Sequence, residues 1–238
     1  MDAAIKPLLE KYFGSDEHPY RTLEAEIVRR LRPEDTLLDA GCGRTAPMLR
    51  KYQGAAKRLI GIDLVEFTEP IDGIELYRGD VSKTGLPDRS VDLIYSRSVM
   101  EHVDDPDAVF SESHRVLKPG GHWIFLTANK WDYASIIARM IPNRLHPFIV
   151  RRVEGRPEED TFPTRYRVND RRTIEGLAQR HGFSVADFSY LGQYPNYFLF
   201  SPLLFRIASQ YELWLRRHPS RHWLRGWILA VLQKPASR

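Results

Sequence analysis

The sequence predicts an α/β protein built on a mostly parallel, doubly wound sheet, and three observations predict it. From Thr36 to Thr127 short apolar runs alternate with amphipathic helical stretches, which implies parallel strands with helices on both faces. Two of those runs, Leu37-Leu38-Asp39 and Ile60-Gly61-Ile62-Asp63, end in an acid, 24 residues apart. The first leads directly into Ala40-Gly41-Cys42-Gly43, a turn of small residues that lets main chain come close to a ligand.

The elements follow in order. Ile5, Leu8, Leu9 and Tyr12 stand at helical spacing and predict a short first helix. A second helix spans 19–31, with Leu23, Ile27 and Leu31 on one face and Pro33 ending it. Strand one covers 36–39, a helix over 46–52 follows the glycine turn, and 58–63 is strand two. A short third strand over 74–78 closes at Gly79-Asp80, and 90–96 is the fourth. Asp105-Pro106-Asp107 opens the next helix, with proline in the first turn and acids where the helix dipole favours them. That helix stops at Lys118-Pro119-Gly120-Gly121, before a fifth strand over 122–127.

After Asn129 the rhythm changes. A helix is expected over 131–141, and the proline- and charge-rich stretch 142–164 reads as irregular. Asn169 or Asp170 caps a helix that ends at His181-Gly182; 183–191 is the sixth strand and 203–217 a further helix. Residues 227–232 read as a last strand, with a continuation of the C-terminal helices as the alternative.

Bulk properties narrow the class. A 238-residue chain with 42% hydrophobic and 28% charged residues suits one folded domain with generous insertions. A single cysteine, Cys42, excludes an internal disulfide and fits a reducing compartment. No apolar stretch approaches the roughly 20 residues of a spanning helix, and residues 1–10 lack the pattern of a secretion signal. The expectation is a cytoplasmic protein, peripheral to the inner membrane face. From Ser201 onward there are seven Lys/Arg against one acid, Glu212. Those cations are interleaved with Phe205, Tyr211, Trp214 and other apolar residues. That mixture reads either as a helix packed on the sheet with a solvated basic face or as an element that leans into anionic lipid. No RNA-binding module is visible, so nucleic acid is not an expected partner.

Six segments, in this order, resemble the class I S-adenosylmethionine-dependent methyltransferases, particularly the group related to quinone-biosynthesis enzymes. They are Leu38-Asp39-Ala40-Gly41-Cys42-Gly43, Gly61-Ile62-Asp63, Gly79-Asp80-Val81, Val91-Asp92-Leu93-Ile94-Tyr95-Ser96, Met100-Glu101-His102-Val103 and Leu117-Lys118-Pro119-Gly120-Gly121. The resemblance covers residues 20–128 and continues more weakly over 162–183 through Tyr166-Arg167-Val168-Asn169 and His181-Gly182-Phe183. It implies a Rossmann-like, seven-stranded, mostly parallel sheet with an antiparallel last strand and helical lid insertions. A single domain over 1–238 would then have its cofactor-binding core at 20–128 and substrate-covering segments at 1–19, 129–168 and 195–220.

The same resemblance implies S-adenosyl-L-methionine as cofactor and S-adenosyl-L-homocysteine as product. Asp39, Gly41, Cys42 and Gly43 would line the methionine end, Asp63 and Leu64 the ribose, and Asp80 and Val81 the adenine. Ser96, expected just past strand four, would lie near the reactive methyl. No metal is called for. The sequence departs from many relatives at Thr45, where they carry a third glycine. His102 reads in two ways: a base for an acceptor hydroxyl, or a structural feature of its loop. Cys42 reads as a small filler of the turn, since no basic partner stands near it in sequence. Tyr133, His146 and Tyr166 fall in the segment expected to roof the pocket and read as packing residues. The expected acceptor is a small organic molecule, apolar or lipid-linked, methylated on oxygen. Two rivals stand beside this reading: a nicotinamide-dependent dehydrogenase, whose third glycine would fall at Ala46, and a non-catalytic scaffold on the same fold.

Overall fold

The computed structural model describes residues 4–14, 18–140 and 162–236. Among them the strands are β1 (Thr36–Ala40), β2 (Arg58–Asp63), β3 (Glu75–Arg78), β4 (Val91–Arg97), β5 (Leu117–Ala128), β6 (Ser184–Leu191) and β7 (Trp227–Gln233). The helices are α1 (Ile5–Phe13), α2 (Pro19–Arg30), α3 (Pro106–Val116), α4 (Tyr133–Met140), α5 (Arg171–Arg180) and α6 (Pro202–Arg217). One seven-stranded sheet runs in the order β3-β2-β1-β4-β5-β7-β6.

Strands β3, β2, β1, β4 and β5 pair in parallel. β7 runs antiparallel to β5: Gly120 N–H donates to Lys234 carbonyl at one end and Asn129 N–H to Gly226 carbonyl at the other. The order reverses between β1 and β4, and the carboxyl ends of strands at such a switch point form the usual ligand crevice of an open α/β sheet.

The chain divides into two compact units. One comprises 23–127, 164–189 and 229–238; the other comprises 1–22, 128–163 and 190–228. In the first, β1 is buried at every position, so its apolar run continues into an acid, Asp39, with no outward face. Phe110 of α3 packs edge-on to Trp123 of β5 at 4.9 Å, and both are essentially inaccessible. In the second, Ile5, Leu8 and Phe13 of α1 form a cluster with Phe205 of α6.

Caps set several boundaries. Asp105 accepts from Ala108 N–H at the start of α3, and Asp170, one of the two residues expected there, from Thr173 N–H at the start of α5. The strand reading of 227–232 holds. Two expectations fail. The helix over 46–52 is only a 3-10 turn at Leu49–Tyr52: Pro47 disfavours the α conformation for the residue before it, and Ala46 stands at φ +41°. Strand β5 starts at Leu117, not at 122. Val91 pairs with Leu117 and Leu93 with His122, so Lys118–Gly121 bulge out of register with β4 while Gly120 and Gly121 stay paired with Lys234 on the other side. Lys234 holds that loop by donating from its ammonium to the His114 and Leu117 carbonyls.

Candidate functional site

The first unit gathers the sequence-selected residues at the carboxyl ends of β1, β2 and β4. Asp39 lies opposite Gly61 of β2 and Tyr95 of β4. It is 2% exposed and accepts a 2.6 Å hydrogen bond from the Tyr95 hydroxyl. Burial lifts its carboxyl to about 7, against the opposing pull of the Tyr95 hydroxyl and the Arg97 charge. Tyr95 was missed by sequence reasoning. It stands 56 residues from Asp39, and only the register of two parallel strands brings the pair together.

The glycine turn is tightly built. Gly41 has φ +97°, and a Cβ there would stand 2.1 Å from Val99 Cγ2, so only glycine fits. Gly41 and Cys42 N–H both donate to the Ile62 carbonyl of β2. Gly43 N–H donates to Asp63 Oδ2 at 2.7 Å, and Val65 N–H to Asp63 Oδ1. The turn amides are therefore spent on the second strand, where the sequence suggested that they face a ligand. What faces outward is Gly43 itself, at φ +74° with nothing within 4 Å of where a Cβ would be.

Cys42 is 5% exposed, and its Sγ would lie 2.8 Å from a Cβ on Gly61. Burial pushes its thiol far up, which leaves it an inert filler. Leu64 is exposed. Asp80 is exposed, and its carboxylate accepts from Ser82 N–H in a tight turn, with Val81 half-buried between them. Ser96 lies within β4 and not beyond it, 2% exposed, with its hydroxyl accepting from the Trp123 indole at 3.3 Å.

Past β4 the chain turns through Ser98, at φ +57°, and Val99 against Gly41, to His102, which is half-buried and whose N–H donates to the Val99 carbonyl. Beside it a second unforeseen group is anchored. Glu101, 6% exposed, accepts from Thr127 Oγ1, which in turn accepts from Asn169 Nδ2. The Glu101 carbonyl also takes the amides of Arg165 and Tyr166. The loop bearing His102 is thus fastened to β5 and to the start of the 164–189 segment. Tyr133 lies in the other unit, stacked on Phe198 and edge-on to Tyr211; His146 lies outside the described residues.

Polar groups around these strand ends retain unused hydrogen-bonding capacity. Two buried hydroxyls, on Tyr52 and Ser98, have no hydrogen-bond partner among the described residues, and Tyr52 packs edge-on to Tyr95. Each Asp63 oxygen accepts one amide and keeps further acceptor capacity. No cluster able to hold a metal ion occurs among the described residues.

Comparison with known proteins places these features in context. A methyltransferase domain family matches residues 38–125. A probable S-adenosylmethionine-dependent methyltransferase of Mycolicibacterium smegmatis is 30% identical over 165 residues, covering 63% of this chain and 62% of that protein. The malonyl-[acyl-carrier protein] O-methyltransferase of Serratia marcescens is 33% identical over 100 residues, 40% of this chain and 39% of its own. The matches take in less than two thirds of the length of these curated relatives. Among solved structures, an S-adenosylmethionine-dependent methyltransferase from Mesorhizobium loti superposes with a TM-score of 0.57 at 22% identity, over 90% of this chain and 96% of that one.

Proposed function

We propose that this chain, whose residues 38–125 match a methyltransferase domain family and whose fold is that of an S-adenosylmethionine-dependent methyltransferase, moves a methyl group from S-adenosylmethionine to the oxygen of a small organic acceptor, apolar or lipid-linked. The observation that carries the reading is the pair of acids at neighbouring strand ends, Asp39 and Asp63, tied together through the Gly41–Gly43 turn.

When bound, S-adenosylmethionine supplies an activated sulfonium methyl that leaves by in-line displacement, so the protein's task is chiefly alignment. Asp63 offers its remaining carboxylate lone pairs to the ribose hydroxyls. The open face of Gly43 admits the methionine end beside Asp39, which Tyr95 holds in place. Asp80 and Val81 meet the adenine. Ser96 acts by fixing the end of β4 through Trp123. His102 takes the proton from the acceptor hydroxyl; the anchoring of its loop by Glu101 and Thr127 gives it a defined position. The oxygen assignment draws on that histidine and on the O-methyltransferase relative.

Outside this site, α6 leaves Leu203 and Ile207 more than 60% exposed, with Trp214, Arg206 and Arg217 also at the surface. We infer that this apolar and basic face rests on anionic lipid at the inner face of a membrane.

Calorimetric titration with S-adenosylhomocysteine tests the cofactor assignment. Wild type should bind, and Asp63→Ala should bind at least tenfold more weakly while its circular dichroism is unchanged. Equal affinity refutes the ribose role. Incubation with carbon-13-methyl donor and a lipid extract then identifies the acceptor atom from the chemical shift of the labelled methyl. A signal on carbon or nitrogen refutes oxygen, and no transfer to any acceptor favours the scaffold.

A further inference from the structure

The turn beside Asp39 directs its amides elsewhere. Gly41 and Cys42 N–H go to the Ile62 carbonyl, and Gly43 and Val65 N–H go to the Asp63 carboxylate. Asp39, 2% exposed, is left with a single donor, the Tyr95 hydroxyl at 2.6 Å, and forms no ion pair among the described residues. A buried carboxylate needs a paired charge or several donors, so below neutral pH this group stands as the neutral acid. Beside it the Tyr52 hydroxyl is buried without a partner and its ring packs edge-on to Tyr95.

We infer that Asp39 couples cofactor binding to proton release: it is a neutral acid before the methionine end arrives and a carboxylate afterwards, so that binding expels one proton to solvent. The inference rests on the proposal above that this end of S-adenosylmethionine lies beside Asp39. An acid in this position admits the ammonium of that amino-acid group and repels its carboxylate.

The groups around Asp39 set the direction. Burial lifts its carboxyl to about 7; the Tyr95 hydroxyl and the Arg97 charge on β4 pull it down, and Asp63 on β2 pushes it up. Cys42 of the turn and Tyr52 stay neutral, their own values pushed far up by burial, and Glu24 of α2 acts on Tyr52 in the same sense. An ammonium beside the carboxyl reverses the balance and favours the ionised form. Binding then releases a proton wherever the acid was neutral beforehand, and affinity rises with pH until the acid is already ionised. With the midpoint at about 7, affinity should fall about tenfold from pH 8 to pH 6.

Calorimetric titration of the full chain with S-adenosylhomocysteine, in buffers of unequal ionisation enthalpy, counts the proton directly. About 0.9 of a proton should leave per site at pH 6 and about 0.1 at pH 8, with binding about tenfold weaker at pH 6. Asp39→Asn should bind with no proton release and without that pH dependence. Asp132 and Glu212, acids that burial also lifts, to about 6 and about 8, belong to the other unit and titrate alike in both chains. Tyr95→Phe removes the donor that favours the ionised form and should move the affinity profile to higher pH, which a purely structural role for Tyr95 would not do. 5′-Methylthioadenosine, which lacks the amino-acid group, should bind without proton release. S-adenosylhomocysteine binding that is flat in pH and releases no proton overturns the inference and leaves the cofactor assignment standing. So does equal release in Asp39→Asn or with 5′-methylthioadenosine. Failure to bind at any pH overturns the cofactor assignment, and this inference with it.

Discussion

Asp39→Asn should make the protein more stable at alkaline pH while impairing it as a cofactor site. Asp39 is 2% exposed, and burial lifts its carboxyl from the ordinary 3.8 to about 7. Because the folded value exceeds the unfolded one, the unfolded chain releases this proton first as pH rises. Stability from this group is therefore lost between about pH 4 and pH 7. The loss, complete above pH 7, is on the order of 4 kcal/mol. Asparagine keeps an oxygen to accept from Tyr95 but never ionises. The stability of Asp39→Asn relative to wild type should thus rise by roughly 2–3 kcal/mol between about pH 5 and pH 8. Urea unfolding followed by far-ultraviolet circular dichroism at the two pH values measures it, and the subtraction removes groups common to both chains, Glu212 and Asp132 included. At pH 8 the variant should also bind S-adenosylhomocysteine more weakly. A difference in stability that stays flat from pH 5 to pH 8 refutes the claim that Asp39 is a desolvated acid held in reserve for a ligand.

Gly41→Ala places a Cβ 2.1 Å from Val99 Cγ2 at φ +97°; it should cost roughly 2–4 kcal/mol in urea unfolding, of which Gly41→Ala/Val99→Ala recovers the steric part only. Thr127→Val removes the hydroxyl that joins Glu101 to Asn169, both buried, and should cost about 2–3 kcal/mol; a loss under 0.5 kcal/mol would mean that water replaces it. Ile207→Glu should abolish sedimentation with vesicles containing anionic phosphatidylglycerol without lowering the melting temperature, since that side chain is exposed; equal sedimentation refutes the lipid-facing assignment of α6.

Much of the fold could be read from residue patterns because its strands are short apolar runs with punctuation. β2 matches its expected bounds because Asp63 and the loop after it stop the run. α3 begins where Asp105 and Pro106 said it would. The failures have different causes. The helix expected over 46–52 is broken locally, at Ala46 and Pro47, while the late start expected for β5 was judged from local signals and the outcome was set by partners far away in sequence. Lys118–Gly121 reads as a terminator, yet Gly120 and Gly121 exchange hydrogen bonds with Lys234 and so remain in the sheet.

The same distinction divides the site. Asp39, Asp63 and the glycines are legible because each is confined by its immediate neighbours: a strand end, a turn that excludes a Cβ. Tyr95, Glu101 and Thr127 carry no such mark. Tyr95 reads as one more apolar residue of β4, and it becomes the partner of Asp39 only when Leu37 pairs with Leu93 and sets that register. A slip of one residue would turn Tyr95 to the other face and leave a buried carboxyl without a donor, a change costing more than any surface contact could offset. The acid therefore constrains how β1 and β4 can pair, and the group proposed to meet the cofactor also helps specify the sheet that presents it.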